Sequence, residues 1–160
     1  MLTRTKAELN KIASLDNGFI RLGANYATNN SKYFIINLNP AEIDYICHKK
    51  PSTELDADLA VNVTAGLNVA DITLRKTNLL YRTNNAHIEL LVDGNNNLYG
   101  FNARYNALLK KDRVYDIRTA GRDMPLHFTI ENSSEHIVIM PIHLAFTDVS
   151  MLLAREGLTC

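Results

Sequence analysis

The feature that most constrains this chain is a recurrent alternation of apolar and polar residues over short runs bounded by turn residues. Leu126-His127-Phe128-Thr129-Ile130 is the clearest case, with three apolar side chains on one face of an extended strand and two polar ones on the other. Residues 59–64 repeat the pattern: Leu59, Val61 and Val63 share one face, while Ala60, Asn62 and Thr64 share the opposite one. Residues 19–22, 33–38, 72–74, 78–82 and 87–92 are rich in β-branched, aromatic and other apolar side chains and predict further strands. Asp93-Gly94-Asn95-Asn96-Asn97 predicts a hairpin connection into Leu98-Tyr99-Gly100-Phe101. Residues 131–135 form a polar turn before a long apolar strand over 136–146, in which Pro141 calls for a bulge or an edge position. Seven or more strands must therefore find partners.

Helical signals are fewer. Leu9, Ile12, Ala13 and Leu15 recur at near-helical spacing over 3–15, after a Thr5 cap with Glu8 three residues later. Asp16-Asn17-Gly18 is a turn, and the polar stretch 23–30 reads as a loop. Pro40 opens a helix that continues to Lys49 and stops at Pro51. Tyr105, Leu108, Leu109 and Val114 predict an amphipathic helix over 102–118 with Lys110, Lys111 and Arg113 outward, broken by Gly121 and Pro125. The tail, 150–160, reads as a short helix or a flap. Each half thus offers a helix followed by a polar-faced strand. The expectation is a single α+β domain over residues 1–160, built as two intimately packed lobes.

The 160 residues are 46% hydrophobic and 21% charged, a composition that folds as a globule. Seventeen basic and seventeen acidic side chains cancel, so no global field draws in long nucleic acid, and an anionic ligand needs a local site. Cys47 and Cys160 read as reduced thiols rather than a disulfide. The N-terminus lacks the apolar core of a signal peptide, and no apolar run approaches the ~20 residues that span a bilayer. A cytoplasmic protein without a membrane partner is expected.

The two alternating strands carry the chemistry. If they lie side by side, Asn62, Thr64, His127 and Thr129 surround a single anion. A histidine takes a proton from an attacking hydroxyl or gives one to a leaving oxygen near neutral pH. A threonine hydroxyl donates to a non-bridging phosphate oxygen. Such a site needs no metal and no cofactor for phosphodiester cleavage. No Walker loop, Gly-x-Gly-x-x-Gly turn or metal-binding histidine triad occurs.

Leu126-His127-Phe128-Thr129-Ile130 resembles the hydrophobic-His-x-Thr-hydrophobic motif of the 2H phosphoesterase superfamily, and Val61-Asn62-Val63-Thr64-Ala65-Gly66 resembles its other copy, with asparagine in the histidine position. The resemblance implies a bilobal fold, with two mainly antiparallel sheets and flanking helices around a central cleft. It also implies metal-independent attack on RNA-like phosphodiesters or cyclic phosphates. In size the chain is similar to the phage anti-CBASS nucleases, a branch that destroys cyclic oligonucleotide immune signals in the host cytoplasm. Asn62 departs from the pattern: it can hydrogen-bond a phosphate but cannot act as an acid or base near neutrality. Three readings stay open: an active or variant cyclic-nucleotide phosphodiesterase, a protein that sequesters the nucleotide uncleaved, and a structural viral protein whose motifs are ordinary strands.

Tyr26, among asparagines, is a candidate for stacking on a nucleobase, and Glu156 for reading an adenine amino group if the tail folds over the cleft. His87 reads as a sheet-surface partner of Glu89, and His143 as a packed strand residue or one that orients the site from behind. His48 and His136 read as exposed polar positions. The pairs Lys49-Lys50 and Arg75-Lys76 read as solvated charges, with flanking a phosphate as the alternative. Oligomeric state is left open.

Overall fold

The computed structural model describes residues 3–29, 31, 33–49, 69–82 and 86–144. A helix, α1, spans Lys6–Ala13. Thr5 caps it: its Oγ1 accepts from the Glu8 amide at 3.2 Å while its own amide donates to Glu8 Oε1 at 2.9 Å, the reciprocal box the sequence predicted. Three strands follow: β1 over Phe19–Leu22, β2 over Tyr26–Asn29 and β3 over Phe34–Asn37. A second helix, α2, covers Pro40–Lys49. It is capped from Asn39, whose Oδ1 accepts from the Glu42 amide at 2.8 Å and whose amide donates to Glu42 Oε1 at 3.0 Å. Strands β4, Ile72–Arg82, β5, His87–Val92, and β6, Leu98–Asn102, form an antiparallel meander. A single 3₁₀ segment, Ala103–Leu108, leads to β7, Asp116–Thr119, β8, Leu126–Thr129, and β9, His136–Ile139.

Among the described residues the nine strands form one antiparallel sheet in the order β1-β2-β3-β9-β8-β7-β4-β5-β6. This overturns the expected bilobal α+β arrangement of two sheets with flanking helices around a cleft. Two features fuse the supposed lobes. Strand β9 enters between β3 and β8, and β4 pairs with β7 through Ile72–Leu74 before pairing with β5 along its remainder. The second lobe also lacks its helix: residues 103–108 make one 3₁₀ segment that buries Tyr105 and Leu108, and 116–119 are strand. The polar stretch read as a loop contains β2, and the predicted strands 72–74 and 78–82 are one element, irregular between Lys76 and Leu80. Strand β9 ends at Ile139, so Pro141 lies just beyond an interior strand and not within an edge strand.

Register sorts the two faces. Leu74, Ile117, Phe128, Ile137, Ile36 and Ala27 form one row across six strands, and all join the main core. Leu9 and Ile12 of α1 and Ile43 and Ile46 of α2 cover that row. Burying each such large side chain contributes about 1.5–3 kcal/mol. The next row, on the opposite face, reads Thr73, Arg118, His127, Val138, Ile35 and Thr28. A smaller core of Ile88, Leu90, Val92 and Leu98 serves the β4–β6 meander. Among the described residues no helix is long and apolar enough to cross a membrane.

Candidate functional site

The face turned away from the helices carries the polar groups. Antiparallel pairing sets His127 opposite Arg118 on one side and Val138 on the other, and Thr129 opposite Asp116 and His136. Directly opposed residues have Cβ atoms about 5 Å apart, so Arg118, His127, Thr129 and His136 form one patch over three strands. Diagonal neighbours His127 and His136 close on each other. Nδ1 of His127 lies 2.9 Å from Nε2 of His136, and the rings stack at 5.2 Å between centroids. Tyr26 on β2 approaches from the far side, with its hydroxyl 3.4 Å from His136 Nδ1 and its ring edge-on to the imidazole.

Both imidazoles are buried, at 4% and 5% exposure, and this fixes their protonation. Burial holds His127 below the ordinary histidine value. Burial first, and the neighbouring His127 second, push His136 down to about 4. The pair is therefore neutral at physiological pH, and one ring must donate across the 2.9 Å contact while the other accepts. Two tautomeric arrangements satisfy it. In one, His127 keeps a proton on Nε2; in the other, that nitrogen presents a lone pair. Shifting the shared protons converts His127 between acid and base. Burial likewise raises the Tyr26 hydroxyl, partly offset by Asn37, so it stays protonated.

Beside the pair lies a depression of about 900 Å³ whose wall includes Arg118, Thr129, Ser133, Asp71, Asp116 and Glu131. Arg118 is half exposed, and its Nε donates to Asp116 Oδ2 at 2.8 Å, which leaves its terminal amino groups uncommitted to that carboxylate. His127 and His136 lie behind this wall and do not line it.

The sequence placed His127 and Thr129 on one polar face, and the fold does so too. Asn62, Thr64 and Glu156 lie outside the described residues, as does the strand predicted over 59–64. Tyr26 belongs to a strand, with its hydroxyl directed at His136. His136, read as an exposed position, is a buried member of the pair. His143, read as packed, is exposed, with its Nδ1 3.2 Å from the Asp123 carboxylate. His87 is exposed as expected, whereas Glu89 accepts from Asn106 Nδ2 at 3.2 Å. Arg118 and Asp116 were hidden inside the supposed helix; the alternation in Asp116-Ile117-Arg118-Thr119 was the signal for them. Among the described residues no group of three or more His, Cys, Asp or Glu side chains is placed to hold a metal ion. Comparison with known proteins finds no family model, no curated protein and no solved structure that matches the chain.

Proposed function

We propose that the β7–β8–β9 face binds a small RNA-like phosphodiester, of the cyclic oligonucleotide class, and cleaves it by metal-independent acid–base chemistry. The observation that carries this reading is the cross-strand pairing of Arg118 with His127, with Thr129 two residues along the same face. Arg118 neutralises a non-bridging oxygen, and the Thr129 hydroxyl donates to another. Nε2 of His127 takes the proton of a 2′-hydroxyl as its oxygen attacks phosphorus. The bond from phosphorus to the 5′ oxygen breaks, that oxygen receives the proton from His127, and a 2′,3′-cyclic phosphate remains. His136 steadies the transient imidazolium by accepting from His127 Nδ1. This reading keeps the chemistry that the His-x-Thr motif resembles without the bilobal scaffold.

A second reading, binding without turnover, is favoured by one observation: both imidazoles lie behind the wall of the depression. One experiment separates the two. The protein is incubated in EDTA with a panel of cyclic dinucleotides and 2′,3′-cyclic nucleotides, beside Arg118→Gln and His127→Asn. Catalysis predicts product from the parent and a loss of about 10²- to 10⁴-fold in His127→Asn. Ligand recovered intact, with saturable binding that Arg118→Gln weakens, decides for sequestration. Cleavage only on adding a divalent metal, or no binding at all, overturns both.

A further inference from the structure

On the helix side of the sheet, a second cavity of about 590 Å³ lies between β4 and the segment that joins the 3₁₀ turn to β7. Lys76 of β4, which pairs with Leu91 of the main core, and Lys110, Lys111 and Arg113 of the joining segment line it, with no Asp or Glu among the lining residues; Arg75, which pairs with Val92, turns to the opposite face. Four cationic side chains around one cavity in a chain of zero net charge is a strong local segregation. Two of the four are engaged: Lys110 Nζ donates to the Thr3 carbonyl at 2.8 Å and lies 3.6 Å from Glu8, and Lys76 Nζ donates to Asn106 Oδ1 at 3.4 Å. Lys111 and Arg113 make no ion pair with another described residue. Like charges gathered in this way repel one another by about 1 kcal/mol per close pair in water, and an anion between them reverses the sign.

The floor has a different character. Leu74 and Ile117 reach it from the main core, and Val114 stands at the rim 91% exposed, the most exposed of the large apolar side chains among the described residues. A simple anion leaves Val114 in water; a ligand with an apolar or aromatic body covers it. The volume lies within the range of small-molecule sites. It is also independent of the histidine pair, because Ile117 and Arg118 are successive strand residues and point to opposite faces.

We propose that this cavity is a binding site for a small polyphosphorylated ligand with an aromatic body, of the nucleoside di- or triphosphate class. Lys76, Lys111 and Arg113 hold the phosphates, and Val114 with the apolar floor covers one side of the base. Calorimetry with ATP, inorganic tripolyphosphate and adenosine tests it on the whole chain. ATP is expected to saturate one site, tripolyphosphate to bind more weakly, and adenosine not to bind. The variant carrying Lys76→Gln, Lys111→Gln and Arg113→Gln, all exposed positions, is expected to lose at least about tenfold in ATP affinity. Val114→Ser is expected to weaken ATP and leave tripolyphosphate unchanged. Raising the salt from about 50 to about 300 mM is expected to weaken both phosphates. Absence of saturable ATP binding overturns the proposal, as does equal affinity in the triple variant, or binding confined to vesicles of anionic phospholipid. ATP binding that Arg118→Gln abolishes also overturns it, since that places the nucleotide on the other face; retention there supports this site whatever becomes of the phosphodiester reading.

Discussion

Acidification is expected to destabilise the protein through His136, by an amount that follows from its burial. The free imidazole titrates at 6.5, and in the fold burial and the adjacent His127 lower it to about 4. A depressed folded value means that the neutral ring is the one the fold accommodates. Its contribution is fully present above 6.5 and is lost as the pH falls from 6.5 towards 4, because the unfolded chain takes up a proton that the folded chain refuses. At about pH 5 the loss from this residue alone is about 2 kcal/mol, and about 3 kcal/mol once the folded ring titrates as well. Against a typical total of about 5–15 kcal/mol this is a large share. The lowered His127 adds to it with the same sign.

Urea unfolding of the parent and of His136→Asn across that pH range isolates the effect, because the other titrating groups largely cancel in the difference. The parent's stability minus the variant's is expected to be flat above about pH 7 and to fall by about 1.4 kcal/mol per pH unit between about pH 6 and 4.5. At neutral pH the variant itself is expected to be weaker by about 1–3 kcal/mol, since His127 Nδ1 loses its buried partner. Difference curves that stay flat down to about pH 4.5, or a parent that gains stability relative to the variant on acidification, refute the argument.

Other positions give equally direct outcomes. A Cβ at Gly100 would meet Ile88 Cγ2 at 2.7 Å and Leu144 Cδ2 at 3.2 Å, so Gly100→Ala is expected to cost about 1–3 kcal/mol in chemical denaturation. Asp93 organises its hairpin by accepting from the Asn95 and Asn97 amides at 2.8 and 3.0 Å and from the Tyr99 hydroxyl at 2.9 Å. Burial pushes its carboxyl up, but these bonds prevail and hold it low, while Tyr99 is pushed up to about 12. Asp93→Ala is expected to lower the thermal midpoint, and to narrow the gap from the parent as the pH falls through the carboxylate range. Arg4 and Glu135 pair at 3.2 Å with both side chains wholly buried. Arg4→Met alone is expected to cost about 3–5 kcal/mol by stranding the carboxylate, and adding Glu135→Leu to recover most of it, measured as a double-mutant cycle.

Runs of β-branched, aromatic and other apolar residues made β1, β3 and β5 legible, the Asp93–Asn97 turn marked β6, and alternation marked β8. These signals failed at β2, where the polar stretch 23–30, with Asn25 and Asn29 around Tyr26-Ala27-Thr28, suggested a loop. Asn29 in fact works as a hairpin residue, its Oδ1 accepting from the amides of Tyr33 and Phe34 at 2.9 and 3.3 Å. The spacing of Tyr105, Leu108 and Leu109 was ambiguous for another reason. A 3₁₀ turn brings residues three apart onto one side, so Tyr105 and Leu108 reach the core without an α-helix. Of the site, the shared face of His127 and Thr129 was readable in one strand. His136 was not: its role depends on the register that sets it opposite Thr129 across the 130–135 turn, where Asn132 adopts a positive φ of 61°. Alternation in Asp116-Ile117-Arg118-Thr119 put Arg118 on a polar strand face, but that β7 adjoins β8 is a tertiary fact that no local pattern carries.

The insertion of β9 beside β3 also governs how the chain is made. Phe34 faces Ile139 across that seam, so the first sheet edge formed by a growing chain acquires its neighbour only after most of the polypeptide has been synthesised. Until then β3 offers an unpaired edge carrying Phe34 and Ile36, the kind of template that invites association with another chain. Truncation before residue 136 is expected to remove the strand that closes the seam and to yield an aggregating product. In the full chain, protection of the β3 amides from hydrogen exchange is expected to arise late in refolding, together with that of β9.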